Sequence, residues 1–532
     1  MTKERGMDDR YDVVVVGGGA AGLAGALTLA RARRSVLVVD AGEPRNAPAS
    51  GVHNYLGREG TPPAQLLAVG RDEVTGYGGQ VVAGRVDGVT RDEAEFVVLI
   101  DGARTVRARR LLVATGLVDE LPEVPGLTQR WGRDVLHCPY CHGWEVRDQR
   151  IGVLASGPLA VHQAQLWRQW SPHVRLLLHE SPEPGPEETE RLAARGVTVV
   201  PGRVAALEVV EDRLTGVRLA SGEVVELDAV VVAAQMTARS ALLESLGLTA
   251  VDVENAGHVV GRQIPADATG ATAVPGVWVA GNVSEVSAQV IRAAGAGLTA
   301  GAMINMDLME EDTRAAVAEH RRQREVMFTE AAWEERYRSR PAVWSGRPNP
   351  QLVAEVQGLA PGRALDVGSG EGADAVWLAE RGWQVTAVDI STVALARAAE
   401  HAKAAAGQVA ERIEWTHADL LRWSPASSAY DLVSAQFMHL PPENRRELFA
   451  RLADAVAPGG RLLIVGHHPR DLRTTAHRMH YPEMMYTAEQ VAEELDPARF
   501  EVLAAQTRPR PAVDPDGRDI VIHDAVLLAR RR

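Results

Sequence analysis

Twice in this chain a buried-strand run opens onto a glycine-rich turn and a helix, and the next strand leads to a carboxylate. The first occurrence is Tyr11–Val16, then Gly17-Gly18-Gly19-Ala20-Ala21-Gly22, a helix of small residues over Leu23–Arg33, and a strand Ser35–Val39 followed by Asp40. A strand, a crossover helix and a second strand of this kind commit the chain to a parallel α/β sheet. Gly17 suits the tight turn, Gly19 lets backbone approach a pyrophosphate, and Gly22 lets helix and strand pack closely. The helix N-terminus favours the phosphate charge. Asp40 lies about 20 residues on, where a ribose hydroxyl is accepted. A glycine pattern alone is weak evidence, whereas strand, turn, helix and terminal acid together are strong.

The second occurrence is Ala364-Leu365-Asp366-Val367-Gly368-Ser369-Gly370-Glu371-Gly372, a helix Ala373–Arg381, and a strand Gln384–Val388 followed by Asp389-Ile390-Ser391. Its glycines let the loop pass close to a bound nucleoside, and Asp389 is placed to accept ribose hydroxyls. Glu371, inside the loop, reads as a solvated residue. Strand-like and helix-like segments alternate almost throughout, and 532 residues make roughly three to four domains of ordinary size. The segment Met306–Arg338 is dense in Glu and Arg and poor in Gly and Pro, so it reads as a charged helix or linker, with a boundary near residue 325.

A net charge of −13 excludes a nucleic-acid partner that needs a basic face. No stretch approaches the ~18 consecutive apolar residues of a membrane span. Met1–Arg10 is charged and lacks the apolar core of a secretory signal. These readings imply a cytoplasmic location without membrane attachment.

Cysteine occurs only at Cys138 and Cys141. A structural zinc site needs further ligands in a second pair, so no metal site is expected. A stabilising disulfide gains most from closing a long loop, and this loop is very short. The pair reads as redox chemistry in a reducing compartment. Its setting is His137-Cys138-Pro139-Tyr140-Cys141-His142-Gly143-Trp144-Glu145. A thiolate is the working nucleophile, and a neighbouring His lowers its pKa or shuttles a proton. His142 is the first candidate for acid–base partner and His137 the second.

Residues 10–308 resemble the low-molecular-weight thioredoxin reductases, within the pyridine nucleotide-disulfide oxidoreductases. The resemblance rests on the first glycine unit, His53-Asn54-Tyr55-Leu56-Gly57, Ala114-Thr115-Gly116, and Val277-Trp278-Val279-Ala280-Gly281-Asn282 followed by Gln289-Val290. It implies that Gly17, Gly19, Gly22, Asp40, Asn54, Thr115, Gly116, Gly281, Asn282, Gln289 and Val290 wrap FAD. Asn282 stands where the family usually has Asp, and an amide oxygen still accepts a ribityl hydrogen bond. The resemblance also implies a second nucleotide domain inserted into the first: an FAD domain of 1–117 plus 248–310, an insert at 118–247 carrying the cysteines, and a charged linker helix at 311–330. Cys141 would face the flavin and Cys138 would exchange with substrate. The family tends to be homodimeric and to serve a thioredoxin-like protein.

The insert has its own strand and loop, Arg150–Leu154 then Ala155-Ser156-Gly157-Pro158-Leu159-Ala160. Ala155 replaces the first glycine of the fingerprint, and its Cβ crowds the phosphate approach. The next strand, His173–Leu178, ends in His179-Glu180, where an acid repels a 2′-phosphate. That departure leaves NAD(P)H use open: it fits NAD better than NADP, and it fits no nicotinamide at all. It also makes this half look like the dithiol oxidases that close disulfides in natural products such as gliotoxin and holomycin, which carry Cys-x-x-Cys-His and return flavin electrons to oxygen. The expectation is oxidation of a small dithiol, with NAD(P)H-dependent thioredoxin reduction as the alternative.

From about residue 331 to 532 the chain resembles class I S-adenosylmethionine methyltransferases. Besides the second glycine unit it has Ile413–Thr416 followed by Asp419, the run Tyr430–Val433, and Pro458-Gly459-Gly460 before a strand Arg461–Val465. The resemblance places Asp366, Gly368 and Gly370 at the methionine part, Asp389 and Ile390 at the ribose, and Asp419 at the adenine. Trp333–Tyr337 and Trp344–Arg347 look like the tellurite-resistance and thiopurine methyltransferase group, which implies a thiol or other soft acceptor. His467-His468, His477, His480 and Tyr481 make a histidine-rich stretch. It reads as a surface loop, with His467 as the candidate substrate-side base.

The fold expected is therefore α/β: a two-domain, Rossmann-like FAD/NAD(P)-binding oxidoreductase plus a C-terminal Rossmann-like methyltransferase. One half handles dithiols and the other methylates thiols, so adjacency suggests a shared small-molecule substrate. A flavin redox sensor regulating the methyltransferase is the remaining alternative.

Overall fold

The structure, a computed structural model, describes residues 10–157, 159–405, 407–473 and 481–532. The chain divides into two compact units, the first ending at Arg314 and the second starting at Ala315.

In the first unit, Arg10–Val16 lies between Val36–Asp40 and Arg104–Val113, parallel to both. Alternate residues of the first strand enter different cores. Val14 and Val16 pack with Leu37 and Leu111, while Val13 and Val15 pack with Leu29 and Val38. Burial on both faces explains why the run is apolar throughout rather than alternating. The sheet continues through Gln80–Ala83 on one side. On the other it passes through Glu95–Ile100 and Val86–Asp92, with Val277–Val279 also against Arg104–Val113. The helix Ala20–Arg31 meets the long helix Val290–Val326 almost backbone to backbone. A Cβ on Gly297 would lie 1.9 Å from the Ala21 carbonyl oxygen.

The chain leaves this sheet through Leu117–Glu120 and returns through Gln235–Ala238, two neighbouring antiparallel strands. Between them lies a parallel sheet in the order Thr198–Val200, Val174–Leu177, Ile151–Leu154, Ala229–Val232, Val135–Leu136. It carries an antiparallel meander from Val204 to Glu226. Ala238, Leu243 and Leu248 share a core with Val14 and Leu111. The return therefore falls before them, ahead of the 247/248 boundary expected from sequence.

The charged segment is helical, and its first part is tied to the first unit. Val290–Val326 is one helix. Its residues Asp307, Glu311 and Asp312 are held by Arg110, Arg109 and Arg34: Arg109 reaches Glu311 at 2.7 Å and Asp312 at 2.6 Å, Arg34 reaches Asp312 at 2.7 Å, and Arg110 pairs with Asp307. The charges at 307–312 thus belong to the first unit's fold.

The second unit has one sheet in the order Ile413–His417, Gln384–Asp389, Arg363–Val367, Tyr430–Gln436, Val456–His467, Asp519–Arg531, Phe500–Val513. The first five strands are parallel and the last two pair antiparallel. Chain order reverses at Arg363–Val367, and ligands of open α/β sheets bind beyond the strand ends at such a switch point. The Gly368–Gly372 loop starts there. Among the described residues no helix is long and apolar enough to cross a membrane.

Candidate functional site

In the first unit a cavity of about 1350 Å³ runs from the Gly17–Gly19 loop to the two cysteines. Gly17, Gly19, Asp40, Thr115, Gly116, Gly281, Asn282, Gln289 and Val290 line it, together with Cys138, Cys141 and His142. Gly17 has φ +103°, and its amide donates to the Val39 carbonyl at 2.8 Å. A Cβ there would lie 2.5 Å from the Ala114 carbonyl oxygen. At Gly19 a Cβ would meet no protein atom, so the space it faces belongs to the cavity. Gly19 also N-caps Ala20–Arg31, and no side chain caps that helix. Asp40 accepts from the Gly18 amide at 3.1 Å.

Two residues expected among these do not line the cavity. Gly22 serves packing: a Cβ would lie 1.9 Å from the Gly17 carbonyl oxygen. Asn54, at φ +58°, turns its amide away to donate to the Tyr140 carbonyl at 2.6 Å. It thereby anchors the redox turn at the wall of the same cavity, which Tyr140 lines. Thr115 donates to the Arg239 carbonyl at 2.8 Å, tying the outgoing strand to the incoming one. Asn282 donates to the carbonyls of Glu285, Val286 and Ala288 at 3.1, 3.3 and 2.9 Å. A carboxylate would repel all three carbonyls, which gives a physical reason for Asn at this position.

The Cys138 and Cys141 sulfurs are free thiols 2.7 Å apart, on a single helical turn Pro139–His142 that Cys138 caps. The Cys141 thiol hydrogen-bonds Cys138, and the backbone amides of Tyr140 and Cys141 add to it. Together they lower the Cys138 thiol to about 7, whereas Cys141 is held protonated, well above its ordinary value. Gln289 directs its amide at both sulfurs, 3.9 and 4.0 Å away, so it bears on the thiols as well as on the flavin space. Burial pushes the His142 pKa down and keeps the ring neutral, able to accept a proton. His137 is likewise kept neutral by burial, and its Nδ1 faces the Val232 carbonyl at 3.4 Å.

Ala155 is buried, and Ser181 donates to its carbonyl at 2.7 Å. The position of the first fingerprint glycine is thus filled by a packed side chain. At the end of the following strand Glu180 pairs with Arg203 at 2.9 Å. Ser156 and Gly157 still open onto the cavity.

In the second unit Asp389 is fixed by the amides of Gly370 and Ser391, at 2.8 and 2.9 Å. Asp366 and Asp374 stand close by. Burial and then repulsion from Asp374 and Asp389 push Asp366 well up, and burial pushes Asp374 up to about 6. Asp366 Oδ2 and Ser369 Oγ are buried without a hydrogen-bond partner among the described residues. Gly368, at φ +71°, faces the Met438 sulfur. Glu371 is not solvated: it is 5% exposed. It accepts from the Val343 and Trp344 amides at 3.1 and 3.0 Å and pairs with Arg397 at 2.9 Å. Trp344 in turn donates to the Tyr337 hydroxyl at 2.9 Å, and both groups lie beside Gly370. A strap of chain ahead of the first strand thus closes over the glycine loop. His417 faces the Ile390 carbonyl at 2.9 Å. Asp419 accepts from the Leu421 amide at 2.9 Å, in the loop after Ile413–His417.

His467 ends the strand Val456–His467 rather than opening a loop. Its ring stacks on His439 at 4.4 Å and lies 4.6 Å from Phe437, which sits at φ +56°. Its amide donates to His439 Nε2 at 2.8 Å. His477 and His480 lie outside the described residues, among which no metal-binding cluster occurs.

Residues 11–297 match the pyridine nucleotide-disulphide oxidoreductase family. This chain belongs to that family. Residues 364–460 match a methyltransferase domain, so the protein carries both. It is 44% identical to the crystal structure of HlmI, covering 60% of this chain and 98% of that one with a TM-score of 0.55. A thioredoxin reductase of Mycolicibacterium smegmatis is 30% identical over 57% of this chain and 98% of its own. A thioredoxin reductase of Claviceps purpurea is 36% identical over 152 residues, 28% of this chain, and the match spans 47% of that relative.

As a pyridine nucleotide-disulphide oxidoreductase the first unit takes FAD, and the residues fit it: an uncapped helix N-terminus and an open Gly19 face at one end of the cavity, thiols at the other. The methyltransferase domain takes S-adenosylmethionine. Its sulfonium and ammonium outweigh its carboxylate by one positive charge, which matches a buried set of three acids with an unpartnered Asp366 oxygen. Sequence reasoning missed His439, Arg397 and the burial of Glu371. No local motif marks them; the weak signal was Trp344 and Tyr337 ahead of the first strand.

Proposed function

We propose that the first unit oxidises a small dithiol with oxygen as final acceptor, releasing hydrogen peroxide, and that the second transfers a methyl group to a thiol or similar soft atom. The observation that carries the first half is the polarised thiol pair beside a neutral His142, in a cavity whose nicotinamide loop is filled by Ala155 and followed by Glu180. His142 takes the proton of an incoming thiol. The thiolate then attacks Cys138 of the oxidised pair and the bonding electrons pass to Cys141. The second substrate thiolate closes the product disulfide and releases Cys138. Bound FAD supplies the two-electron sink between the thiol pair and the acceptor.

In the second unit Asp389, Asp366 and Gly368 hold the methyl donor and the strap over Gly370 excludes water. His467, stacked on His439, is the acceptor-side base. A thiol acceptor needs little beyond orientation and deprotonation. The two halves share a substrate class, oxidation closing a dithiol and methylation capping it. We further read the protein as a cytoplasmic homodimer.

The competing reading is an NAD(P)H-dependent reductase of a thioredoxin-like protein, favoured by Ser156 and Gly157 opening onto the cavity. Anaerobic flavin absorbance separates the two. Bleaching by dithiothreitol and recovery in air support the oxidase. Rapid bleaching by NADPH or NADH overturns it. Replacing both cysteines by serine leaves methyl transfer unchanged if the halves act independently, and alters it if the flavin unit is a sensor.

A further inference from the structure

The motif His53-Asn54 lies 84 residues before the thiol pair in sequence, yet both of its residues reach the redox turn or its continuation. Asn54 donates to the Tyr140 carbonyl at 2.6 Å, and its own amide donates to Glu59 at 2.9 Å. His53 Nδ1 lies 2.6 Å from Glu59 Oε1, and its Nε2 faces Glu145 Oε1 at 3.5 Å. Glu145 follows His142 by one turn of chain. His53, His142 and both cysteines line the same cavity. The Glu59 side chain is 66% exposed and that of Glu145 38%, against 18% for His53.

His53 thus bridges two water-exposed carboxylates at the mouth of the cavity that holds the thiol pair. We propose that Glu145, His53 and Glu59 are a proton relay that carries the substrate thiol proton from His142 to solvent. The inference rests on the oxidase reading above. An ionised carboxylate can only accept, so His53 Nδ1 donates in the contact with Glu59, and Nε2 receives the proton when Glu145 carries it. The proton from a substrate S–H passes to the His142 ring and then to the Glu145 carboxylate. It arrives at His53 Nε2 as the Nδ1 proton leaves to Glu59, which exchanges with water. Meanwhile the new S–S bond forms at Cys138 and the Cys138–Cys141 bond breaks, its electron pair remaining on Cys141. The oxidant is the enzyme disulfide itself, regenerated when the two electrons pass through flavin to oxygen. Each substrate thiol loses one proton: one is retained by Cys141, which receives the electron pair, and the other leaves by the path, after which water returns a proton to His53 Nδ1 as Nε2 gives up its own.

Glu145, His53 and His137 act electrostatically on His142, and His53 contacts Glu59 and Glu145. Arg45 and Gln289 face the sulfurs from the flavin side. Arg45 is bound to Asp119 at 2.6 Å, and a guanidinium has no acceptor site, so it cannot take up a proton on this route.

The test uses the full-length flavin-loaded protein with dithiothreitol as reductant, in rapid anaerobic mixing. His53→Phe and Glu145→Gln should each slow flavin bleaching about tenfold, a fraction of the effect of a positioned acid–base group. They should also raise the solvent deuterium isotope effect, and added imidazole should restore the rate in His53→Phe. Iodoacetamide alkylation of the reduced protein should show the same pH profile for Cys138 in wild type and variants. Equal bleaching rates in wild type and both variants overturn the relay and leave the oxidase reading standing. A slowed variant with a displaced alkylation profile and no imidazole rescue also overturns it, since His53 would then only brace the turn. Wild-type flavin that no dithiol bleaches overturns the oxidase reading and the relay together.

Discussion

Asp40 and Asp389 end the second strand of equivalent glycine units, yet their surroundings differ. Asp40 accepts one backbone amide, at 3.1 Å, and has Arg71 at 3.7 Å near the surface. Asp389 has each oxygen held by a backbone amide, is 7% exposed, and carries a raised pKa because it is buried. It also shares its pocket with Asp366 and Asp374. The first site sets its acid near the surface, beside an arginine. The second stores repulsion that a cationic ligand relieves. One sequence rule thus serves two electrostatic strategies: a pyrophosphate cofactor is met by backbone amides, a sulfonium cofactor by buried acids.

The largest expected effect breaks one loop and spares the other. Gly22→Ala forces a methyl group against the Gly17 carbonyl at 1.9 Å, so the first unit should lose its flavin on purification. Gly19→Ala adds a methyl group that meets no protein atom. That variant should fold normally and bind flavin weakly. S-adenosylmethionine binding, read by calorimetry, should be unchanged in both. Retention of full flavin by Gly22→Ala would contradict the packing described.

The pattern of these loops was legible in sequence because it is local: turn, helix start and terminal acid lie within one βαβ unit. The redox pair was legible for the same reason. The acceptor-side cluster was not, because His439 meets His467 only after two strands are laid side by side. The burial of Glu371 was missed because its partners Val343 and Trp344 come from a strap outside the motif. Asn54 was assigned to the flavin from family resemblance. Its left-handed backbone brings the amide to the Tyr140 carbonyl, a tertiary contact no spacing carries.

The stored repulsion gives the second prediction. Free aspartate titrates near 3.8, and Asp374 is raised to about 6. Between these values the native state binds the proton that the unfolded chain has lost. Stability therefore falls as pH rises through the window, by on the order of 3 kcal/mol for Asp374. Asp366 adds to this in the same direction. In calorimetry, the unfolding transition that S-adenosylmethionine shifts should come at lower temperature at pH 7 than at pH 5. Saturating cofactor should flatten that slope. A transition that rises with pH across this window would refute the account.

The two acids themselves should respond unequally. Asp389→Asn should weaken S-adenosylmethionine about 100-fold, as expected for lost charged hydrogen bonds in a buried pocket. Asp40→Asn should weaken flavin retention by about tenfold or less, since its site is nearer solvent. Equal losses in the two variants would mean that burial does not distinguish the sites.

The smallest effect concerns the strap, which has no counterpart described at the Gly17 loop. Glu371 joins the Val343 and Trp344 amides to Arg397, and so holds Tyr337 and Trp344 beside Gly370. Glu371→Gln keeps the shape but removes the charge, and one amide oxygen must then serve the two backbone donors. The strap should loosen without unfolding the unit, because the sheet core does not depend on it. The expected result is a rise of about tenfold in the KM for S-adenosylmethionine at nearly constant kcat, consistent with loss of one or two charge-assisted hydrogen bonds. A fall in kcat at constant KM would place the strap at the transferring methyl group instead of over the cofactor, and would make water exclusion its main task.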